Sequence, residues 1–300
     1  MARAPRTIHP IFVLNRNPGG SPIHRWSKPL VAALGGPPTG RRGRGLFTRV
    51  RAAIKCRTLW LARRVEPSTV CEPAPIPRAR VGDTDLRQRI FQTVYEQREW
   101  GGEPGSAFFS GEGSRGRPAQ VYAAQMAKVL QGHTAELGHP PTIIDLGCGD
   151  FEVGRALVER LPGATYIGCD IVPELVAHND KRFANERVSF RKLDMVTDPL
   201  PDGDVCLVRQ VLQHLSNAEI LAVLQKLKHR YVYVTEGHPT QLVGPVNPDK
   251  SAGGDVRFDW RRGFGRGVQL DHPPFNRPTE EVFRVAASPR ETIVTDRLAP

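Results

Sequence analysis

The feature that most constrains the fold is an apolar run that ends in an acid and turns at once through two glycines. Thr142–Leu146 has the composition of a buried strand, with Asp145 near its end. Gly147 and Gly149 follow, and two glycines at this spacing let the backbone approach a ligand closely. The chain is therefore predicted to hold a ligand where a parallel strand ends and a helix begins.

The residues around this turn disfavour a phosphate ligand. Glu152 stands where the dinucleotide-binding fingerprint needs a third glycine. Asp145 and Asp150 add negative charge, which would repel phosphate but attract a cationic amino-acid group such as that of S-adenosylmethionine. The turn therefore favours a methyl-donor site over a dinucleotide site.

The next two units repeat the pattern of a helix followed by a strand that ends in an acid. Helical spacing is present over 151–161, which ends at a Pro-Gly pair, and over 173–183. The strands that follow are predicted at 164–170 and 188–194. This β-α-β-α-β order indicates a parallel sheet whose strand-end acids meet at one edge.

The acids at that edge suggest specific contacts. Asp170 lies 25 residues after Asp145, close to the interval of about 20 at which nucleotide folds place a ribose-binding carboxylate. Asp194 is placed to accept a hydrogen bond from an adenine amino group, with a loop-capping role as the alternative. Three successive strands thus supply three carboxylates to one ligand site.

Through 144–149, Asp170 and 193–195, the chain resembles the class I S-adenosylmethionine-dependent methyltransferases. The resemblance spans roughly residues 85 to 300. More narrowly, the chain is similar to a set of bacterial members, mostly of unassigned substrate, that share three further segments. These segments stand here at Tyr95–Gly102, Ser110–Ser114 and Arg209–Ser216.

The resemblance implies an α/β fold with a Rossmann-like, seven-stranded, mostly parallel sheet and helices on both faces. It also implies S-adenosylmethionine as the cofactor, with the glycine turn at its methionine part, Asp170 at the ribose, and Asp194 with Met195 at the adenine. The expected cofactor-binding residues are Asp145, Gly147, Gly149, Asp170, Ile171, Asp194, Met195, Arg209 and Gln210.

A candidate base follows the fourth predicted strand, 204–209. His214 is the only histidine expected so near the methyl group, and a histidine can take a proton from an acceptor hydroxyl. Alternatively it is a structural group that bonds the loop, since methyl transfer can also proceed by positioning alone. The next residues, Ser216–Glu219, form a predicted capping box that opens a helix to Lys228.

The later strands offer further candidate contacts. Strand 231–235 is followed by Glu236 and His238, which are predicted either to touch the acceptor or to anchor loops. An aliphatic strand at 268–270, followed by Pro-Pro-Phe, resembles the family, and 292–296 is a plausible final strand.

The residues before the first strand are predicted to cover the ligand site. Helical spacing near Ile90 and Val94 precedes a glycine-rich stretch, and Tyr95, Trp100 and Ser114 are the candidates for covering the site and touching the acceptor. Ordinary aromatic packing is the alternative. Residues 81–140 are therefore expected to form N-terminal cap or lid helices, and residues 141–300 the cofactor-binding core.

The charge of the chain is concentrated at its start. Residues 1–80 hold 16 Lys and Arg against two acids, whereas residues 81–300 hold 26 against 29. A domain that grips a phosphate backbone should itself carry a basic face, so this distribution disfavours nucleic acid as the partner. The composition predicts a basic, largely disordered extension over 1–80.

Residues 46–65 within this extension have near-helical apolar spacing with many basic residues. They are predicted to lie on an anionic membrane surface, or to form a solvated basic helix or packing arm. An organellar transit peptide is another interpretation, although the many prolines and glycines weaken it. No run of about 18 apolar residues is present, so no membrane span is predicted.

Five cysteines, an odd number without metal-ligand spacing, indicate reduced thiols, a cytoplasmic location and no structural metal. The functional prediction is O-methylation of a small molecule or glycan. No Asn/Asp-Pro-Pro-Tyr segment follows the fourth strand, which argues against amino groups of bases or glutamine as the target. The alternatives are a nucleic-acid or protein methyltransferase recruited through the basic arm, and a non-catalytic S-adenosylmethionine-binding module.

Overall fold

The computed structural model describes residues 81–299 except 104, 106, 241–245, 256 and 260–263, with 257–259 and 264–266 described by backbone alone. The predicted extension at 1–80, including 46–65, lies outside the described residues. Five α-helices are described, besides two short 3-10 helices: α1 Thr84–Glu96, α2 Gly116–Leu137, α3 Glu152–Val158, α4 Pro173–Phe183 and α5 Asn217–Leu224. The strands are β1 Thr142–Leu146, β2 Thr165–Asp170, β3 Val188–Lys192, β4 Val205–Arg209, β5 Tyr231–Pro239, β6 Arg257–Asp259, β7 Phe264–Arg266, β8 Thr279–Ser288 and β9 Glu291–Leu298.

Seven strands form one sheet in the order β3-β2-β1-β4-β5-β9-β8, and β6 pairs with β7 separately. Strands β1 to β5 run parallel, whereas β9 and β8 are antiparallel to their neighbours. The predicted Rossmann-like, mostly parallel sheet is thereby confirmed. Within the described residues, no helix is long and apolar enough to cross a membrane.

The two faces of the sheet are buried under separate hydrophobic clusters. In β1, Ile144 and Leu146 point into one cluster and Ile143 into the other, because successive side chains of a strand alternate. Phe91 of α1 joins the first cluster, and Met126 of α2 joins the second. Burial on both faces explains why the parallel strands are almost continuously apolar.

Helix α2 differs from the prediction for residues 81–140. Six of its residues are buried, and Met126 and Leu130 are fully covered. Its packing against the sheet makes it a layer of the core and not a separate lid. The sequence pattern alone does not separate these two roles, because an apolar helical stripe fits either.

The C-terminal half of the sheet departs most from the prediction. Strand β5 continues to Pro239, four residues beyond the predicted end, because β9 pairs with it antiparallel along that length. Strand β8 has no counterpart in the prediction. The predicted strand at 268–270 is wrong, because these residues are not in a strand. Val268 N donates to the Glu236 side chain, and Leu270 O accepts from Arg277 N in the loop that follows.

The predicted start of α5 is confirmed, and its predicted end is wrong. The capping box is confirmed, because Ser216 Oγ accepts from Glu219 N and Glu219 Oε2 accepts from Ser216 N at 2.7 Å. The helix ends at Leu224, however, and does not reach Lys228. The N–H of Lys226 bonds the carbonyl of Val223, three residues back, and this tightened turn ends the α-helical pattern.

Candidate active site

A cavity of about 300 Å³ lies at the carboxyl ends of the central strands. All nine residues predicted to contact the cofactor line it, and so do His214, Tyr95, Trp100 and Ser114. Glu236 and His238 are outside this lining. The parallel register explains the convergence, since the carboxyl ends of β1, β2 and β4 stand side by side.

The glycine turn forms the floor of the cavity. Gly147 and Gly149 have φ of +76° and +55°, a conformation that side-chain-bearing residues rarely adopt. A Cβ on Gly147 would stand 2.5 Å from Val211 Cγ2, and one on Gly149 would overlap the Ser110 hydroxyl. Glycine is therefore required at both positions by the backbone conformation and by the close packing of Val211 and Ser110 against the turn.

Asp170 holds this turn and keeps acceptor capacity for a ligand. Its Oδ2 accepts from Gly149 N at 3.1 Å and its Oδ1 accepts from Val172 N at 3.1 Å. A carboxylate has about four acceptor positions, so two hydroxyl groups could still donate to it. Asn179 holds the same peptide from the other side, because its Nδ2 donates to Gly149 O at 2.7 Å.

Two acids of the cavity have pKa values above the usual range for aspartate. Burial raises the pKa of Asp145 and of Asp170 to about 6, and hydrogen bonds from Tyr166 and from backbone amides oppose that shift. A buried carboxylate without a nearby cation therefore costs free energy in this cavity when it is ionised. A cationic ligand would relieve that cost, which fits the sulfonium and ammonium groups of S-adenosylmethionine.

These shifts predict that S-adenosylmethionine binds more weakly as the pH falls through about 6. Below that pH, Asp145 and Asp170 take up protons and lose the charge that attracts the cation. The affinity should fall by about tenfold per pH unit for each required carboxylate. Isothermal titration calorimetry between pH 5 and 8 measures this, and an Asp170→Asn variant should show a shallower slope. A constant affinity across that range would contradict the prediction.

Asp194 has a more complex position than either predicted role. Its Oδ1 accepts from Val196 N at 2.9 Å and its Oδ2 accepts from Thr197 Oγ1 at 3.1 Å, which is the loop-capping alternative. It also lines the cavity and pairs with Arg87 at 3.6 Å. The carboxylate thus caps the loop and faces the ligand space at once.

Sequence reasoning missed Arg87, which is 1% exposed on α1 and lines the cavity. The signal that could have found it is its spacing, because Phe91 and Val94 follow it by four and seven residues on the buried face of the helix. A cation on an apolar helical face predicts a buried ion pair.

The segment 110–115 covers the glycine turn and is latched to it. Ser110 N donates to Asp150 Oδ2 at 3.0 Å, and Asp150 N donates back to Ser110 Oγ at 2.8 Å. Arg115 forms an ion pair with Asp150, and Arg209 Nη2 donates to Gly113 O at 2.6 Å. Asp150 therefore holds the cover as well as adding charge.

Tyr95 and Trp100 complete the cover with aromatic rings. Tyr95 Oη lies 2.9 Å from Ser110 Oγ, and Trp100 Nε1 donates to Gly254 O at 2.7 Å. Their ring centroids are 5.2 Å apart in an edge-to-face arrangement. Ser114 has less to offer a ligand, because its hydroxyl already donates to Ser110 O.

His214 stands at the end of the cavity that these rings enclose. Its centroid lies 5.0 Å from Trp100 and 6.4 Å from Phe91. Nδ1 lies 3.2 Å from the carbonyl of Asp255, which can only accept, so Nδ1 carries the proton and Nε2 presents a lone pair. Burial lowers the pKa of His214 to about 4, which leaves the ring neutral at pH 7.

Glu236 and His238 serve the fold of the C-terminal strands, in line with the anchoring alternative. Glu236 is 2% exposed and its Oε2 accepts from Val268 N at 3.3 Å. His238 pairs with Thr292 of β9, and its Nδ1 lies 3.5 Å from Gln269 Nε2. Neither residue lines the cavity in this structure, and their contact with an acceptor remains a prediction.

Residues 143–231 match a family model described as a methyltransferase domain. The chain is 33% identical over 110 residues to acetylserotonin O-methyltransferase from Bos taurus, covering 36% of this chain and 31% of that protein. It is 34% identical over 80 residues to trans-aconitate 2-methyltransferase from Methylobacterium nodulans, covering 26% of this chain and 30% of that protein. The chain thus spans about a third of the length of these curated relatives.

A solved structure is similar at a greater distance. It is the 1,6-didemethyltoxoflavin-N1-methyltransferase of Burkholderia thailandensis with bound 1,6-didemethyltoxoflavin and S-adenosylhomocysteine, at 15% identity and a TM-score of 0.46. The match covers 76% of this chain and 94% of that one. Residues 143–231 thus match a methyltransferase-domain model, and the described sheet has the strand order of the class I methyltransferase fold.

Proposed function

We propose that this protein is an S-adenosylmethionine-dependent methyltransferase that methylates a hydroxyl group of a small molecule or glycan. One observation carries the proposal: a neutral histidine nitrogen and a glycine turn flanked by buried acids line the same cavity. The first supplies an acceptor for a hydroxyl proton, and the second fits a cationic methyl donor.

The residues of the cavity fit the cofactor part by part. The glycine turn lines the methionine end, where its glycines let Val211 and Ser110 pack closely, and Asp145 supplies charge there. Asp170 keeps two acceptor positions for the ribose hydroxyls. Asp194 and Met195 line the end assigned to the adenine. When bound, S-adenosylmethionine supplies an electrophilic methyl group, and the chain has to align the acceptor and exclude water.

His214 is the group best placed to receive the acceptor proton. With its proton on Nδ1, its Nε2 is the acceptor nitrogen, and Gln213 Nε2 donates to it at the long distance of 3.4 Å, a bond that an acceptor hydroxyl would replace. A hydroxyl acceptor would donate to Nε2 and become more acidic as the methyl group transfers, so a base with a low pKa can take the proton at that stage. This arrangement favours O-methylation, because it presents an acceptor and not a donor.

The rest of the lining supports a small, neutral or aromatic acceptor. Phe91, Tyr95 and Trp100 provide apolar and aromatic surface on the covered side. Both curated relatives also carry the names of methyltransferases for small molecules, an observation consistent with this acceptor class.

Replacement of His214 by glutamine is expected to lower kcat by about 100-fold or more, which is the usual contribution of a general base. S-adenosylhomocysteine affinity should stay within about threefold of the wild type, because the proposed role concerns the acceptor and not the cofactor. The measurement is a screen of hydroxylated acceptors for S-adenosylhomocysteine release, followed by kinetics on the best one and calorimetry of both variants.

The half-buried His272 provides a matched control, since His272→Gln makes the same chemical change outside the cavity. It should leave kcat and cofactor affinity unchanged. Equal activity of the His214→Gln variant and the wild type would reject the base role. Failure of the full chain to bind either S-adenosylmethionine or its demethylated product would reject the proposed function itself.

A further inference from the structure

We infer that Arg87 is a specificity-determining residue that, together with Asp194, recognises the adenine edge of the cofactor. The inference rests on the proposed function and adds a ligand contact from α1. It starts from the placement of the guanidinium, which is 1% exposed and yet lines the ligand cavity.

The guanidinium lies between two buried acids. Its Nη2 is 3.6 Å from Asp194 Oδ2, and its Nε is 3.4 Å from Glu219 Oε1. Asp194 and Glu219 are 1% and 0% exposed. Their charges compensate the cation, which explains how an arginine is tolerated at this depth. Nη2 also donates to Val81 O at 2.8 Å, so Arg87 fixes the start of α1 to the core.

Two nitrogens of the guanidinium make no hydrogen bond to the described residues, and of these Nε has the ion pair with Glu219, whereas Nη1 is the closest nitrogen in neither ion pair. Nη1 is buried and has no hydrogen-bond partner among the described residues. A buried donor of a charged group that bonds nothing costs free energy, and a ligand acceptor is one way in which that cost is offset. Because Arg87 is one of the residues that line the cavity, we place the acceptor atom that would bond Nη1 on a ligand bound there.

The chemistry of this pair matches adenine. Asp194 offers a carboxylate that accepts, and beside it Arg87 offers an N–H that donates. Adenine presents its amino group as a donor beside a ring nitrogen, N1 or N7, as an acceptor. The two side chains therefore complement one edge of the base, and the long Arg87–Asp194 separation leaves Oδ2 able to accept another hydrogen bond.

The test compares ring-nitrogen analogues of the cofactor product. Full-length wild type and the Arg87→Met variant are titrated calorimetrically with S-adenosylhomocysteine and with its 1-deaza and 7-deaza forms. In the wild type, one deaza form should bind about tenfold or more weakly, as expected when a site donor loses its acceptor. In Arg87→Met that discrimination should disappear, with all three ligands bound about equally.

Two further variants separate recognition from folding. Arg89→Met, on the exposed face of the same helix, should keep the wild-type discrimination. Arg87→Lys preserves the positive charge beside the two acids but not the fork of donors, so it should fold and still lose the discrimination. Thermal denaturation of each variant measures the structural part of the effect.

The outcomes are distinguishable. If Arg87→Met and Arg87→Lys weaken all three ligands by one common factor, or retain the deaza discrimination, Arg87 is only a clamp on α1 and the inference is wrong. If S-adenosylhomocysteine does not bind the wild type at all, the cofactor assignment fails, and this inference fails with it.

Discussion

The Asp170→Ala variant is expected to bind S-adenosylmethionine at least about 100-fold more weakly than the wild type. The side chain would supply charge-assisted hydrogen bonds to the ribose, each worth about 1.5–3 kcal/mol, and a hundredfold corresponds to about 2.7 kcal/mol. It also holds Gly149 N and Val172 N, so its loss loosens the glycine turn itself. Calorimetric titration of the full chain with S-adenosylmethionine measures the change.

Two variants make this result interpretable. Asp170→Asn retains the shape of the side chain and one acceptor oxygen, so it should fold like the wild type and still bind weakly. Asp180→Ala removes an exposed acid from α4 and should have no effect. Binding by Asp170→Asn at wild-type strength would contradict the assignment of Asp170 to the ribose.

Replacement of Gly149 by alanine is expected to weaken cofactor binding by about tenfold or more. An alanine at φ +55° costs about 1–2 kcal/mol, and its Cβ would overlap the Ser110 hydroxyl. The segment 110–115 would then have to move off the turn, which breaks the paired hydrogen bonds between Ser110 and Asp150. Titration with S-adenosylmethionine and thermal denaturation together report the loss.

Gly132 provides the matched control, because it lies inside α2 and a Cβ added there would have nothing within 4 Å. Gly132→Ala should leave binding unchanged and raise stability by up to about 1 kcal/mol through helix propensity. Binding of the Gly149→Ala variant within twofold of the wild type would show that the turn tolerates a side chain, and that its glycines serve packing alone.

The central part of the fold follows from local sequence patterns. Apolar runs predicted β1, β2 and β4 to within about two residues, since burial on both faces demands such runs. Helix α4 was predicted at its observed bounds, and the Ser216–Glu219 capping box was predicted from spacing alone. These features depend on residues a few positions apart, so the sequence displays them directly.

The convergence of the acids is also predictable, because the carboxyl ends of parallel strands share one edge. Asp145, Asp170 and Asp194 accordingly line one cavity. The sequence did not indicate that Asp194 would cap its own loop while facing Arg87. The contact depends on Arg87 of α1, which is more than 100 residues away from Asp194 in the chain.

What the sequence by itself determined is the run of parallel strands, the glycine turn and the set of acids at its edge, because period, spacing and strand order are local properties. What only the tertiary structure decided is which distant segments meet. It placed Arg87 between two acids, latched 110–115 onto the turn, and drew Glu236 and His238 into the pairing of β5 with β9. The physical reason is that buried ion pairs and antiparallel pairing join residues far apart in sequence, and no periodicity records their partners.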